Sequence, residues 1–265
     1  MVPMAERRPQ VVAHRGASAD QAEHTLAAYV VALDQGADAL ECDVRLTADG
    51  HLVCVHDRDL RRTAQQRRLV SSMELTELEQ LDFGAWKHPW AELDDEAPDA
   101  DPERNKVLTL RRLLQTVADY PRPVELAIET KHPTRYAGLV ERRLVDLLDE
   151  FGWAGDGSPA RVMSFSWVAL RRIRRLAPAL RLVFLMDSPL DWARTRPLAE
   201  PDWIAGPGIE LLQKHPEMIR RIRRAGTELH VWTVNSRVDL DLCLDHGVSA
   251  VITDRPQQML DYLHA

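Results

Sequence analysis

Two histidines and three carboxylates stand out for the company they keep. His14 is followed by Arg15 and Gly16, and His56 by Asp57. Glu41 and Asp43 sit two residues apart inside an apolar run, and Glu129 and Lys131 repeat that spacing. On a β-strand, residues two apart share a face, so each pair presents its side chains together. Ionisable groups in such runs are costly unless they are paired or bind a metal. Three converging carboxylates repel one another unless a cation lies between them. Oxygen donors suit Mg²⁺ or Ca²⁺ rather than Zn²⁺, so Glu41, Asp43 and Glu129 are candidate ligands of a divalent metal. Histidine titrates near neutrality, which makes His14 and His56 candidates for the acid and base flanking one reacting centre. Arg15 and Lys131 add fixed positive charge. With a divalent cation they form a clamp for an oxyanion, and phosphate is its natural occupant.

The elements that position these residues can be read from periodicity. Short apolar runs at 10–14, 39–45, 124–130, 160–165, 181–186, 203–206, 228–234 and 249–253 predict eight strands. Helical patterns lie between them at 23–35, 74–81, 109–119, 137–151, 167–176, 214–225, 237–245 and 256–263. In 109–119, Leu110, Leu113, Leu114 and Val117 share one face, and Thr109 is a candidate N-cap. A ninth run, 52–56, follows strand two after too few residues for a parallel crossover, so it is expected to fold back as a hairpin arm. The α/β alternation predicts a single (β/α)₈ TIM barrel spanning 1–265, with an insertion at about 57–108. A doubly wound open sheet is the alternative, but no Gly-rich dinucleotide fingerprint supports it. Residues 187–202, with three prolines, are expected to be irregular. Barrel chemistry gathers at the C-terminal ends of strands, where His14, Glu41, Asp43, Glu129, Lys131, Trp232, Asn235 and Asp254 all fall.

The 265 residues carry a formal net charge of −7. Seven acids and no base lie within 92–103, so the rest of the chain is neutral. That balance argues against a nucleic-acid partner. No run approaches the ~18 apolar residues of a membrane helix. The opening MVPMAERRPQ has no apolar core of a signal peptide. Three cysteines make no disulfide framework and fit a reducing compartment, so a cytoplasmic protein is expected. No surface stripe indicates a homo-oligomer.

HRGAS at 14–18, ECDVRLTADG at 41–50, VHD at 55–57, LDFGAW at 81–86, IETKH at 128–132, MSFS at 163–166, VWTVN at 231–235 and ITDRP at 252–256 resemble, in that family's order, the glycerophosphodiester phosphodiesterases. The resemblance runs from about residue 10 to 263. It implies a metal-dependent barrel enzyme that hydrolyses glycerophosphodiesters to glycerol 3-phosphate and an alcohol. Position by position, it implies Glu41, Asp43 and Glu129 as metal ligands. His14 and His56 match the acid/base pair, Arg15 and Lys131 the phosphate contacts, and Trp232 an aromatic wall against the glycerol. The substrate partner it implies is a small glycerophosphodiester.

The sequence departs from the family pattern in three places. Residues 22–25 read Ala-Glu-His-Thr where the family usually has Pro-Glu-Asn-Thr, so His24 replaces an amide. Residues 108–112 read Leu-Thr-Leu-Arg-Arg, where Arg111-Arg112 could alter insertion packing or rim charge. A Thr-Thr-Asn-Gly-like turn appears as Thr63-Ala-Gln-Gln. These changes bear on the leaving alcohol more than on the reaction. Arg-Arg-Ile-Arg-Arg occurs at 171–175 and 220–224; a solvated helix face, with Ile173 and Ile222 turned inward, is preferred over an anionic-lipid contact. Trp86 and Trp90 either line the entrance or pack the insertion. Two other functions stay open: the same chemistry on lysophospholipid-type substrates, and a silent phosphate- or phospholipid-binding barrel.

Overall fold

A computed structural model describes residues 8–87, 105–132, 138–195 and 202–264. From β1 (Gln10–His14) the chain passes through α1 (Leu26–Asp34) to β2 (Ala39–Leu46) and its hairpin arm β3 (Leu52–Cys54). An excursion follows, made of β4 (Asp59–Leu60), α2 (Arg61–Ala64), β5 (Gln66–Leu69), a 3₁₀ turn and α3 (Leu75–Leu78). The barrel resumes with α4 (Leu110–Ala118), β6 (Glu125–Thr130), α5 (Leu139–Glu150), β7 (Ala160–Ser164), α6 (Trp167–Leu176) and β8 (Arg181–Met186). It finishes with α7 (Pro189–Thr195), β9 (Ile204–Pro207), α8 (Ile209–Lys214), α9 (Pro216–Arg224), β10 (His230–Trp232), α10 (Arg237–Asp245), β11 (Ala250–Thr253) and α11 (Pro256–His264).

The parallel strands pair in the order β10-β11-β1-β2-β6-β7-β8-β9. Parallel bridges Ala205↔Leu229 and Gly208↔Trp232 bring β9 against β10, so the sheet nearly closes. This is the expected eight-stranded TIM barrel, and the open-sheet alternative falls. The hairpin arm is also as expected, with Val44 opposite Cys54 in an antiparallel pair. Helix starts follow their caps: Thr25, Thr109, Ser166 and Ser236 each accept from a backbone N–H three residues on, a bond whose loss costs ~1 kcal/mol.

One expectation needs correction. Residues 187–202 are not wholly irregular, because Pro189 and Asp191 open the short helix α7. Pro is tolerated in a first helical turn. The excursion has more structure than the helix predicted at 74–81, whose central turn is α3. It holds the β4–β5 pair and a small core in which Leu60, Val70, Met73, Leu78 and Phe83 pack on Val53 and Val55 of the hairpin arm. Its few apolar residues are too widely spaced to show a period. The acidic run 92–103 and Trp90 lie outside the described residues.

Strand parity sorts the side chains into layers. Outward residues such as Val11, Leu40, Cys42 and Ile128 pack under the helices. Inward residues Val12, Ala39, Ala127, Met163, Val183, Leu185 and Ile252 fill the barrel. Ile173 and Ile222 are buried, in keeping with the preferred reading of the two Arg-rich segments as helix faces with the isoleucine turned inward. Arg111 pairs with Glu150 at 2.6 Å on the outer helices, which removes it from the rim.

Below the apolar layer lies a polar floor. Arg161 reaches Glu125 at 2.6 Å and Gln10 at 2.8 Å, and His230 meets Glu228 at 3.1 Å. Burial, helped by Arg161 and Arg181 and opposed by Glu228, pushes His230 down to about 4. The unfolded chain takes up that proton near pH 6.5, so the contribution is present in full above pH 6.5 and is lost as pH falls towards 4. The shift corresponds to at most about 3 kcal/mol. Thermal melts of wild type and His230→Asn from pH 7.5 to 4.5 should show the variant gaining Tm relative to the wild type as pH falls. A Tm difference that does not change with pH would remove His230 from this account.

Candidate active site

The register of the sheet builds the site. Cα pairing sets His14 beside Glu41 and Asp43 beside Glu129. Each therefore continues an inward-facing column above the apolar layer: Val12 to His14, Ala39 to Glu41 and Asp43, and Ala127 to Glu129. His14, Arg15, Glu41, His56, Glu129, Lys131 and Trp232 all line one open pocket of about 210 Å³. Asp43 lies just beneath, 1% exposed. The sequence-selected residues are thus all brought together.

One carboxylate oxygen from each of Glu41, Asp43 and Glu129 can be chosen so that all three lie within 4.8 Å of one another. Their buried charge is partly balanced. Lys131 Nζ lies 3.2 Å from Asp43 and 2.8 Å from Glu129, and Arg15 Nε lies 3.1 Å from Asp43. Burial alone pushes Asp43 up, but His24, Lys131 and Arg15 hold it well below the usual carboxylate range. The other two go the opposite way. Burial and the neighbouring Asp43 charge raise Glu41 far above its ordinary value and Glu129 to about 8. Two carboxyls that resist ionisation beside a third that is ionised form a set short of positive charge. Hard oxygen donors in that condition suit a divalent cation, so the cluster can hold a metal.

Each histidine has one ring nitrogen held by a carboxylate. His14 Nδ1 meets Asp254 Oδ1 at 2.6 Å, and His56 Nδ1 meets Asp57 Oδ1 at 2.7 Å. The acceptor is a carboxylate, so Nδ1 carries the hydrogen and Nε2 is left for a substrate. Asp254 is itself fixed by Ser18 Oγ at 2.9 Å and Asn235 Nδ2 at 2.6 Å. Against burial, His14, Asn235 and Ser18 keep it well below the usual range.

The opposite wall is apolar. Trp232 donates its indole N–H to Gly206 O at 2.8 Å and meets Phe165 edge-on at 5.5 Å. Phe165 is 41% exposed, at the mouth. Trp86 is elsewhere: its indole N–H binds Phe83 O, and Arg62 lies over its ring, so it packs the excursion.

His24 is buried, with Nε2 2.9 Å from Asp43 and Nδ1 2.8 Å from Tyr29 Oη. It therefore touches a carboxylate of the site, not the pocket. His24 and Arg15 both adopt positive φ, 60° and 56°, a conformation costing ~1–3 kcal/mol at a non-glycine residue. Gly16 allows this path. Its φ is +85°, and a Cβ there would lie 2.6 Å from the Ala28 backbone. Phe165 and Glu23 lay inside the quoted segments MSFS and Ala-Glu-His-Thr but were given no role, and Arg62 was not selected at all. Asp57 and Asp254 were visible at element ends, but their roles depend on which histidine each one faces.

The chain matches the family model described as the glycerophosphoryl diester phosphodiesterase family over residues 14–258. It is 46% identical over 252 residues to a Mycobacterium tuberculosis protein named probable glycerophosphodiester phosphodiesterase 1, covering 94% of this chain and 90% of that one. It is 31% identical to a Bacillus subtilis glycerophosphodiester phosphodiesterase, covering 92% and 83%. Among solved structures, an Oleispira antarctica phosphodiesterase in complex with the product sn-glycerol-3-phosphate superposes with a TM-score of 0.82 at 26% identity, covering 97% and 98%. This chain belongs to the glycerophosphoryl diester phosphodiesterase family.

Proposed function

We propose that this pocket hydrolyses small glycerophosphodiesters to glycerol 3-phosphate and an alcohol, with a divalent metal and two histidines. The observation that carries the reading is the pair of carboxylate-oriented imidazoles, His14 and His56, facing one pocket that also holds the buried acidic cluster. Glu41, Asp43 and Glu129 would hold Mg²⁺ or Ca²⁺, which would supply positive charge against the phosphate's non-bridging oxygens. Arg15 and Lys131 bind the same phosphate and orient it between the imidazoles. Burial pushes His56 below the ordinary histidine range, against the pull of Asp43 and Asp57. It is therefore neutral at pH 7 and takes the proton from the nucleophile at Nε2. His14, held by Asp254, protonates the leaving alcohol. The nucleophile is water or the substrate's own 2-hydroxyl, the latter giving a cyclic phosphate that water opens. Trp232 packs against the glycerol carbons.

Residues 1–265 act as one barrel domain in this reading. Among the described residues, no helix is long and apolar enough to cross a membrane. A cytoplasmic setting belongs to the same proposal, since three cysteines make no disulfide framework. The exposed Phe165 beside Trp232 favours a second reading, a lysophospholipid-type substrate. Turnover of glycerophosphocholine, glycerophosphoethanolamine and lysophosphatidylcholine, compared at equal concentration, separates the two. The main reading expects the first two to exceed the third, and preference for the lysolipid would replace it with the second.

A further inference from the structure

We propose that Arg62 is a positioning residue that holds both halves of the site at once: through Asp57 it fixes the His56 imidazole, and through Glu23 it fixes the Arg15 guanidinium. The inference rests on the reading above, in which His56 moves a proton and Arg15 binds phosphate.

Arg62 sits on α2, in the excursion, and does not line the pocket. Its guanidinium uses two edges. Nε meets Asp57 Oδ2 at 2.7 Å, while Nη1 and Nη2 meet Glu23 Oε2 and Oε1, both at 2.7 Å. The far oxygen of Asp57 holds His56 Nδ1 at 2.7 Å. Glu23 Oε1 in turn accepts from Arg15 Nη1 at 3.2 Å, and Arg15 Nε reaches Asp43 at 3.1 Å. One planar cation thus joins a continuous chain of alternating charge from His56 to the acidic cluster. Trp86, from the far end of the excursion, lies against the guanidinium at 5.5 Å.

Coulomb energy alone would make a partly exposed arginine worth little. Its value here is geometric, because a guanidinium is a rigid fork that engages two carboxylates in fixed directions and an ammonium is not. Glu23 is well buried. Burial would raise its carboxyl, yet Arg62 and Arg15 hold it at about 2, so it keeps its charge at any working pH.

The test is a cycle of Arg62→Ala, Asp57→Asn and the double variant, with glycerophosphocholine. Arg62→Ala should lower kcat on the order of 10²-fold, the size of a small misplacement of a catalytic group, and should also raise KM. On the Asp57→Asn background kcat should fall by less than about twofold more, while KM still rises through Glu23 and Arg15. Arg62→Lys should restore at most one of the two effects. If Arg62→Ala does not fold, Arg62→Lys replaces it in the cycle.

The metal-free protein supplies a readout besides activity, the His56 imidazole titration followed by NMR. His56 has Asp57 beside it, shares the pocket with Arg15 and Lys131, feels the buried Asp43, and accepts from Arg45 at its carbonyl oxygen at 2.7 Å. Arg62→Ala leaves Asp57 unneutralised and should move the titration to higher pH. Additive kcat losses, unchanged kinetics or an unmoved titration would each overturn the inference. An inactive wild type would instead overturn the functional reading beneath it, while the titration still judges the link from Arg62 to His56.

Discussion

Replacing Glu41 by glutamine should abolish metal-dependent turnover while leaving the metal-free protein at least as stable as the wild type. The two effects have one cause. Glu41 and Glu129 are buried beside the ionised Asp43, and burial and that charge push both above the normal carboxylate range, Glu129 to about 8. A carboxyl whose folded value is raised costs stability as pH climbs from the unfolded value near 4.5 towards the folded one. Glu129→Gln should therefore stabilise the metal-free protein most at pH 8 and above, and least near pH 5. Calorimetric melts in chelator, at both pH values, give the comparison. Metal should raise the wild-type Tm and leave that of either variant unmoved. The lost charge stabilisation, about 4 kcal/mol, corresponds to a fall on the order of 10³-fold in turnover. A variant that loses stability in chelator would mean that the carboxylate serves the fold rather than a cation.

His14→Ala and His56→Ala should each lower kcat by at least ~10²-fold, the usual size of acid/base catalysis. They should differ on an activated substrate. A nitrophenyl leaving group departs without a proton, so the acid becomes dispensable and the base does not. His14→Ala should recover most of its loss on a nitrophenyl phosphodiester, whereas His56→Ala should not. Burial holds His56 below its ordinary value, so wild-type kcat/KM should rise with pH through the acid limb, and that limb should vanish in His56→Ala. Recovery by His56→Ala instead would exchange the two roles, and a near-normal rate in either variant would remove that residue from the chemistry.

Much of the site was legible because it lies on strands. Period two fixes which residues share a face, so Glu41 with Asp43 and Glu129 with Lys131 followed from spacing alone. Their placement at the C-terminal ends of barrel strands suggested that Glu129 joins them, but the register that sets Asp43 against Glu129 is a property of the sheet. The hairpin arm was readable because its link to β2 is too short for a parallel crossover. Apart from the helix near 74–81, the excursion was not, because Leu60, Val70, Leu78 and Phe83 complete their core on Val53 and Val55 of the arm. Long-range partners were the other blind spot. Asp254 orients His14 across 240 positions, and Arg62 meets Glu23 across 39. His24 was marked as a departure, but its contact with Asp43 depends on a left-handed backbone that a non-glycine residue gives no warning of.

The most direct test of the account is release of glycerol 3-phosphate from glycerophosphocholine. It is run in chelator, with Mg²⁺ and with Ca²⁺, using wild type and Glu41→Ala. The account predicts release that needs one of the two cations and disappears in the variant. Equal release in chelator, or full activity in Glu41→Ala, would contradict the metal site. No release from a folded wild type under any condition would contradict the proposed reaction itself.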